Sequence, residues 1–120
     1  KAMEGVYTAD RVQAVPAYYK KKYFTKLSSD TFKVSDSLKR LILFKRLNFM
    51  RDDFPFKGKF HIIFCRNVMI YFDTPVKLAL ISKFHRYMFD DSYLFIGHSE
   101  SLGRGSDLFR YIQPAVYYKI

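Results

Sequence analysis

FHIIFCRNVMIYFDTP, residues Phe60 to Pro75, decides the fold class. Its first six residues, Phe60–Cys65, form a nearly continuous apolar run of aromatic and β-branched side chains. Such a run predicts a strand covered on both faces, as in a parallel sheet. After it, Asp73 or Thr74 can cap a helix, and Pro75 stands where the first helical position is expected. Leu80, Ile81, Phe84, Tyr87 and Met88 then recur at helical spacing and give one apolar face down to about Phe89. Asp90, Asp91 and Ser92 read as a turn, and Tyr93–Gly97 as a second buried strand. Strand, helix and strand in close succession make a βαβ unit, right-handed by default, and place the chain in the α/β class.

Working outward from this unit, Phe109–Ile112 and Ala115–Lys119 flank Gln113-Pro114 like the arms of a hairpin. Upstream, Asp52–Lys59 carries Pro55 and Gly58 and reads as a connector. Leu41–Phe44 is a brief apolar run, expected as a strand that leads into a loop at Leu47–Phe49. Thr31–Val34 reads as a short strand between turns at Leu27–Asp30 and Ser35–Ser37. Val15–Phe24 suits a surface helix. Gly5 reads as a helix stop, so the chain is expected to begin at the end of a helix, with something cut away upstream. The expected organisation is one domain over residues 1–120: a helix plus a small β region over 1–59, then the βαβ unit and closing hairpin over 60–120.

Composition excludes several classes. A chain of 120 residues makes at most one domain, and 13 Phe with 10 Tyr supply an aromatic core rather than a disordered tract. No apolar run approaches the roughly 18–20 residues that span a bilayer, and the opening KAMEGVYTADRVQAV lacks the hydrophobic stretch of a signal peptide. Cys65 is alone, so no disulfide closes within one chain and a reducing cytoplasm is the expected location. The net charge of +10 is lopsided: residues 1–60 carry 14 Lys/Arg against 6 Asp/Glu, residues 61–120 only 7 against 5. A basic first half suits nucleic acid, an acidic membrane or an acidic protein surface, and equally a plain solvated face. Charge alone does not choose among them.

In an open α/β sheet, ligands bind beyond the carboxyl ends of the strands. Polar clusters stand at those ends here: Asn48 after the early strand, Arg66-Asn67 after Phe60–Cys65, and His98-Ser99-Glu100-Ser101 after Tyr93–Gly97. Each alone is explained by loop-backbone capping; three on one rim point to a pocket. Other chemistries have less to rest on. His61, His85 and His98 are widely spaced beside a lone Cys, which gives no zinc spacing and no metal site. Ser99 and Ser101 lack a nucleophile elbow, and Gly103–Gly105 is too short for a phosphate loop. Lys20–Lys22 beside Tyr18, Tyr19 and Tyr23 could stack on single-stranded nucleic acid, or simply pack on their own surface.

FHIIFCRNVMIYFDTP at Phe60–Pro75 and YLFIGHSESL at Tyr93–Leu102 resemble the signatures of the chemotaxis-receptor glutamate methyltransferases, the CheR family. LNF at Leu47–Phe49 is similar to the family's Leu-Asn-Leu, and PAVYYK at Pro114–Lys119 to its closing strand. Weaker agreement extends the resemblance over essentially all 120 residues. It implies a class I, Rossmann-like methyltransferase that uses S-adenosylmethionine to methylate glutamate side chains on the cytoplasmic helices of chemoreceptors. By resemblance, Asn48 and Phe49 lie near the adenosyl end of the cofactor, and Arg66 and Asn67 contact it. Tyr71 sits close to the transferable methyl and the incoming glutamate, with Tyr71 and Arg66 as the catalytic pair. Met69 and Phe72 pack beneath the loop, and Glu100 helps to hold the rim.

The resemblance also implies what is absent. The family's helical N-terminal domain, the glycine-containing loop after its first strand and the acidic residue after its second do not appear in this sequence. In the family's sheet order, 3-2-1-4-5-7-6, this chain is expected to be the C-terminal portion, supplying strands 3–7 without 1 and 2. The edge of the Phe60–Cys65 strand is then expected to be covered by the missing upstream half, a second copy or a rearranged strand. The short stretch between Phe24 and Val34 suggests a type that does not dock on a receptor's tail peptide. Two functional readings stand side by side: a methyltransferase fragment inactive alone, and a non-catalytic module that uses the half-fold to bind a partner or nucleic acid.

Overall fold

The computed structural model describes residues 2–102 and 107–120, so the Gly103–Gly105 stretch lies outside the described residues. The chain divides into two compact units, residues 1–46 and 47–120.

In the first unit, β1 (Val6–Thr8) leads into α1 (Ala9–Val12), α2 (Ala17–Tyr23), β2 (Phe24–Lys26), β3 (Thr31–Val34) and α3 (Asp36–Lys39). The three strands form an antiparallel sheet in the order β1-β3-β2. Gly5 has φ +69° and is followed by β1, and its carbonyl accepts from Val34 N–H at 2.8 Å. The turn expected at Leu27–Asp30 closes through Leu27 N–H on Thr31 O at 2.9 Å. Ser35, expected in a turn, caps α3 by accepting from Leu38 N–H. On α2, Lys22 Nζ lies 5.6 and 5.3 Å from the Tyr18 and Tyr23 ring centres, and Lys20 Nζ 4.8 Å from that of Phe32. The basic and aromatic side chains of this helix therefore engage one another within the unit.

One expected strand does not form. Leu41–Phe44, read as strand 3, belongs to no ladder among the described residues, and Leu41 and Leu43 are 81% and 75% exposed. Its β propensity is sound, but an extended segment becomes a strand only when a neighbour takes its N–H and C=O groups.

The second unit holds β4 (Phe60–Cys65), a 3-10 turn at Met69–Tyr71, α4 (Thr74–Arg86), β5 (Met88–Ile96), β6 (Phe109–Gln113) and β7 (Val116–Lys119). β4 and β5 are parallel across α4, as the βαβ pattern predicts, and the sheet runs β4-β5-β7-β6 with its last two pairings antiparallel. Mixed α/β architecture is thus established. Asp73 caps α4 by accepting from Val76 N–H at 3.1 Å, and Pro75 sits in the first turn. Leu80, Ile81 and Phe84 from α4 join Met88, Leu94, Ile96, Cys65 and Met69 in one buried cluster.

Two details differ from the sequence reading. The apolar period predicts helix to about Phe89, but α4 ends at Arg86 because Met88 already pairs with Phe60. The Asp90–Ser92 turn lies inside β5 as a bulge, since Phe60 and Ile62 face Met88 and Tyr93. Asp91 takes φ +60° there. Ser92 donates to Phe89 O, Tyr118 to Asp91, and the buried Lys119 to Met88 O at 2.6 Å while also pairing with Asp90. In addition, β4 is covered on one face only. Cys65 points into the core, whereas Phe60, Ile62 and Phe64 are exposed, the last by 67%.

Candidate functional site

The carboxyl end of β4 changes direction at once. Asn67 adopts φ +60°, a left-handed backbone that Asn tolerates better than most residues, and turns the chain sharply out of the sheet. Arg66 and Asn67 are left exposed on the rim, and the 3-10 turn that follows buries Met69 while lifting Tyr71 to 80% exposure. None of the side chains of Arg66, Asn67 or Tyr71 makes a hydrogen bond or ion pair among the described residues. Three polar groups without protein partners are therefore gathered within six residues of one strand end.

The end of β5 abuts this turn. Gly97 is buried, and a Cβ placed on it would stand 2.6 Å from Asn67 Oδ1 and 3.2 Å from Asn67 N. The absence of a side chain is what lets the two loops close together. Glu100 folds back over its own turn: its N–H donates to Gly97 O at 3.0 Å, and its Oε2 accepts from Gly97 N–H at 3.3 Å. Its other oxygen, Oε1, is buried without a partner among the described residues. Cys65 lies beneath; burial, with the Glu100 charge adding to it, pushes its thiol up from the ordinary 9.0 to about 11.

The Leu47–Phe54 loop approaches the same strand from its free side. Asn48 Oδ1 accepts from Met50 N–H at 3.0 Å, the loop-capping role open to any Asn. Phe49 is half-buried, its ring 6.4 Å from Phe54 and 6.1 Å from Phe84. The end of α4 grips this loop by its backbone. Lys83 Nζ donates to Phe49 O at 2.7 Å, and Arg86 donates to Asp52 O at 2.7 Å. The Tyr87 hydroxyl both donates to Phe54 O and accepts from Phe54 N–H, each at 3.0 Å.

Between loop and strand lies a cleft of about 400 Å³, walled by Phe49, Phe54, Phe56, Ile62, Phe64 and others, with Arg66 at one end. It follows β4 from Phe60 to Arg66 along the strand's unpaired side. That shape suits a packed segment of backbone along most of its length, and a nucleoside only at its Arg66 end.

Of the expected site residues, Phe49 and Arg66 border this cleft, and Asn67 and Tyr71 stand on the adjoining rim. Asn48 lines neither this cleft nor the smaller one, of about 150 Å³, that Arg66 and His98 share with the β6–β7 turn. Sequence reasoning missed Lys83 and Tyr87 as holders of the loop. Their spacing of four on an otherwise apolar helix face was the available signal.

The donor set fits a charged nucleoside cofactor at the rim. It offers an apolar slot beside Phe49, a guanidinium at the slot's mouth, and an amide and a phenol without protein partners. No group of three or more His, Cys, Asp or Glu able to hold a metal ion occurs among the described residues, and no described helix is long and apolar enough to cross a membrane.

Comparison with known proteins matches residues 1–118 to the family described as CheR methyltransferase, SAM binding domain. A chemotaxis protein methyltransferase of Borreliella burgdorferi is 50% identical over 119 residues, covering 99% of this chain and 42% of that protein. Chemotaxis protein methyltransferase 2 of Pseudomonas aeruginosa is 34% identical over 97% of this chain and 42% of its own length. A probable chemotaxis protein methyltransferase of Rhizobium etli is 37% identical over 97% and 44%. The chain thus spans less than half the length of these curated relatives. With a match over nearly every residue and the GHSES and CRNVMIYFD loops meeting at one rim, the chain belongs to the CheR methyltransferase family, in its SAM-binding domain.

Proposed function

We propose that this chain is the C-terminal portion of a methyltransferase that transfers a methyl group from S-adenosylmethionine to glutamate side chains on the cytoplasmic helices of chemoreceptors. The observation that carries the reading is the cluster of Arg66, Asn67 and Tyr71, without partners among the described residues, at the carboxyl end of β4 in a chain of this family. The strand order β4-β5-β7-β6 supports the placement, because it repeats the last four positions of the order 4-5-7-6 that the resemblance implies.

The cofactor supplies a cationic, activated methyl donor. The acceptor carboxylate is ionised at neutral pH and is itself the nucleophile, so neither a metal nor a nucleophilic side chain is required. What the protein contributes is orientation and exclusion of water. Arg66 and Asn67 bind the cofactor from the β4 side, Phe49 borders its adenosyl end from a loop that Asn48 caps, and Tyr71 orients the incoming carboxylate. The open side of β4 and its cleft are the place for the remainder of the longer protein, and the basic first unit favours approach to acidic receptor helices.

Calorimetry with S-adenosylmethionine tests the reading on the complete gene product and on residues 1–120 alone. Binding to the former, with a much weaker response from the latter, is expected. Methylation of receptor fragments should fall at least tenfold in Tyr71→Phe and Arg66→Ala. Wild-type rates in both variants would remove these residues from the mechanism. Nucleic-acid binding that weakens steeply with salt, in a protein that does not bind S-adenosylmethionine, would favour a binding module instead.

A further inference from the structure

The unsatisfied oxygen of Glu100 has no role in the reaction above. Glu100 is 8% exposed, and its Oε1 is buried with no hydrogen-bond partner, while Oε2 is engaged by Gly97 N–H. A buried carboxylate oxygen without a donor is costly and rare in native proteins. Asn67 is a polar side chain that approaches the same turn. Its Oδ1 and the Glu100 carboxyl carbon lie 2.6 and 3.4 Å from the same point, the place where a Gly97 Cβ would be. Both side chains thus converge on one point beside Gly97, and the amide atom closest to it is an acceptor. The amide nitrogen of Asn67, two donors on an exposed residue, makes no hydrogen bond among the described residues.

Rotation of the Asn67 amide by half a turn about its last torsion, which is soft and roughly two-fold, exchanges its oxygen and nitrogen. The nitrogen then takes the place beside Gly97 that the oxygen holds, on the side that Glu100 also approaches.

We propose that Glu100 and Asn67 form a latch across Gly97, in which Glu100 Oε1 accepts from Asn67 Nδ2 and thereby fixes Asn67 Oδ1 as an acceptor pointing at the ligand. Glu100 is on this account a positioning residue that acts through Asn67. The latch selects a donor group on the ligand, of the hydroxyl or amino kind that a nucleoside cofactor presents, and disfavours an acceptor there. It also holds the left-handed turn that presents Arg66 and Tyr71. The absence of a side chain at Gly97 is the condition for it, since a Cβ there would stand 2.6 Å from Asn67 Oδ1 and 3.4 Å from the Glu100 carboxyl carbon. The ligand half of this inference rests on the cofactor reading above; the contact between Glu100 and Asn67 does not.

Two measurements on the complete gene product separate these parts. The first uses ¹⁵N-asparagine labelling without cofactor, comparing wild type with Glu100→Gln and Glu100→Ala after circular dichroism has shown each to be folded. Slow exchange of the Asn67 side-chain NH2 protons in wild type is expected, with fast, solvent-like exchange in Glu100→Ala. The Gln variant, with one acceptor oxygen for two donors, should be intermediate and serves alone if the Ala variant does not fold. Identical Asn67 signals in all three proteins would overturn the latch. The second measurement is the dissociation constant for S-adenosylmethionine in Glu100→Ala, Asn67→Ala and the double variant. Each single change should weaken binding about tenfold, and the double change no more than either alone. A hundredfold loss in the double variant would show two independent contributions and reject the positioning role. If wild type does not bind S-adenosylmethionine, the cofactor reading fails, and the exchange measurement still decides the latch.

Discussion

At Gly97 the constraint is space and not backbone conformation. A methyl group there would lie 2.6 Å from Asn67 Oδ1 and 3.2 Å from Asn67 N, and the second contact is with backbone that cannot simply swing aside. Gly97→Ala is therefore expected to cost about 1–3 kcal/mol, the usual range for overpacking, and to displace the rim turn. Urea denaturation measures the first effect and cofactor affinity the second. Cys65 makes a different prediction. Its thiol is pushed up to about 11 by burial and by Glu100, so the folded protein retains a proton that the unfolded chain releases near pH 9. The resulting stability is fully present below about pH 9 and is lost as pH rises toward 11. A pH series of denaturation midpoints should show this decline, and Cys65→Ala should lack it. At this scale the sequence was only partly legible. The place of Arg66 and Asn67 just past a strand end could be read from their motif, but the burial of Glu100 could not. Glu100 is a polar residue in a polar loop, and only the closing of its own turn over Gly97 takes it out of water.

Helix α4 acts as the frame of the site. Its start was readable because a cap is a local event: Asp73 needs nothing but the N–H of Val76, three residues on. Asp73→Ala should lower stability by about 1 kcal/mol, visible as a shift of the denaturation midpoint. Its far end was not readable, since Met88 continues the helical period while its backbone is committed to Phe60 of β4. The same competition hid the bulge in β5, where Asp90, Asp91 and Ser92 do form the expected turn within a longer strand. The grip of α4 on the Phe49–Phe54 loop yields a further test. Tyr87→Phe removes both hydrogen bonds to the Phe54 backbone while leaving the ring stack with Phe54, whose centres lie 5.5 Å apart. A loss of about 1–3 kcal/mol is expected, with faster amide exchange at Phe54. Leu41–Phe44 carries the opposite lesson: strand propensity was present in the residues, but no strand takes it up among the described residues.

For the molecule as a unit of solution behaviour, the unpaired side of β4 and the exposed Phe60, Ile62 and Phe64 dominate. Apolar side chains beside unsatisfied strand amides template association. Residues 1–120 prepared alone should therefore self-associate in sedimentation velocity, and Phe64→Lys should shift the distribution toward monomer without changing the circular dichroism. The expectation that β4 is covered on both faces failed for a related reason, because an apolar run records what a strand is built to meet and not whether the cover is present. The hairpin could be read from its turn residues, whereas its placement came only from the family resemblance: the last strand lies inside the sheet, between β5 and β6. That placement has a consequence for biosynthesis. On the ribosome, β6 emerges before the strand that separates it from β5, and it has no correct neighbour until Val116–Lys119 has left the exit tunnel. Until then the order of synthesis and the order of the sheet disagree, and the sheet stays open at β5. A released chain truncated after Pro114 should leave β6 without its only strand neighbour and open to protease, whereas the chain that includes Val116–Lys119 should be protected there.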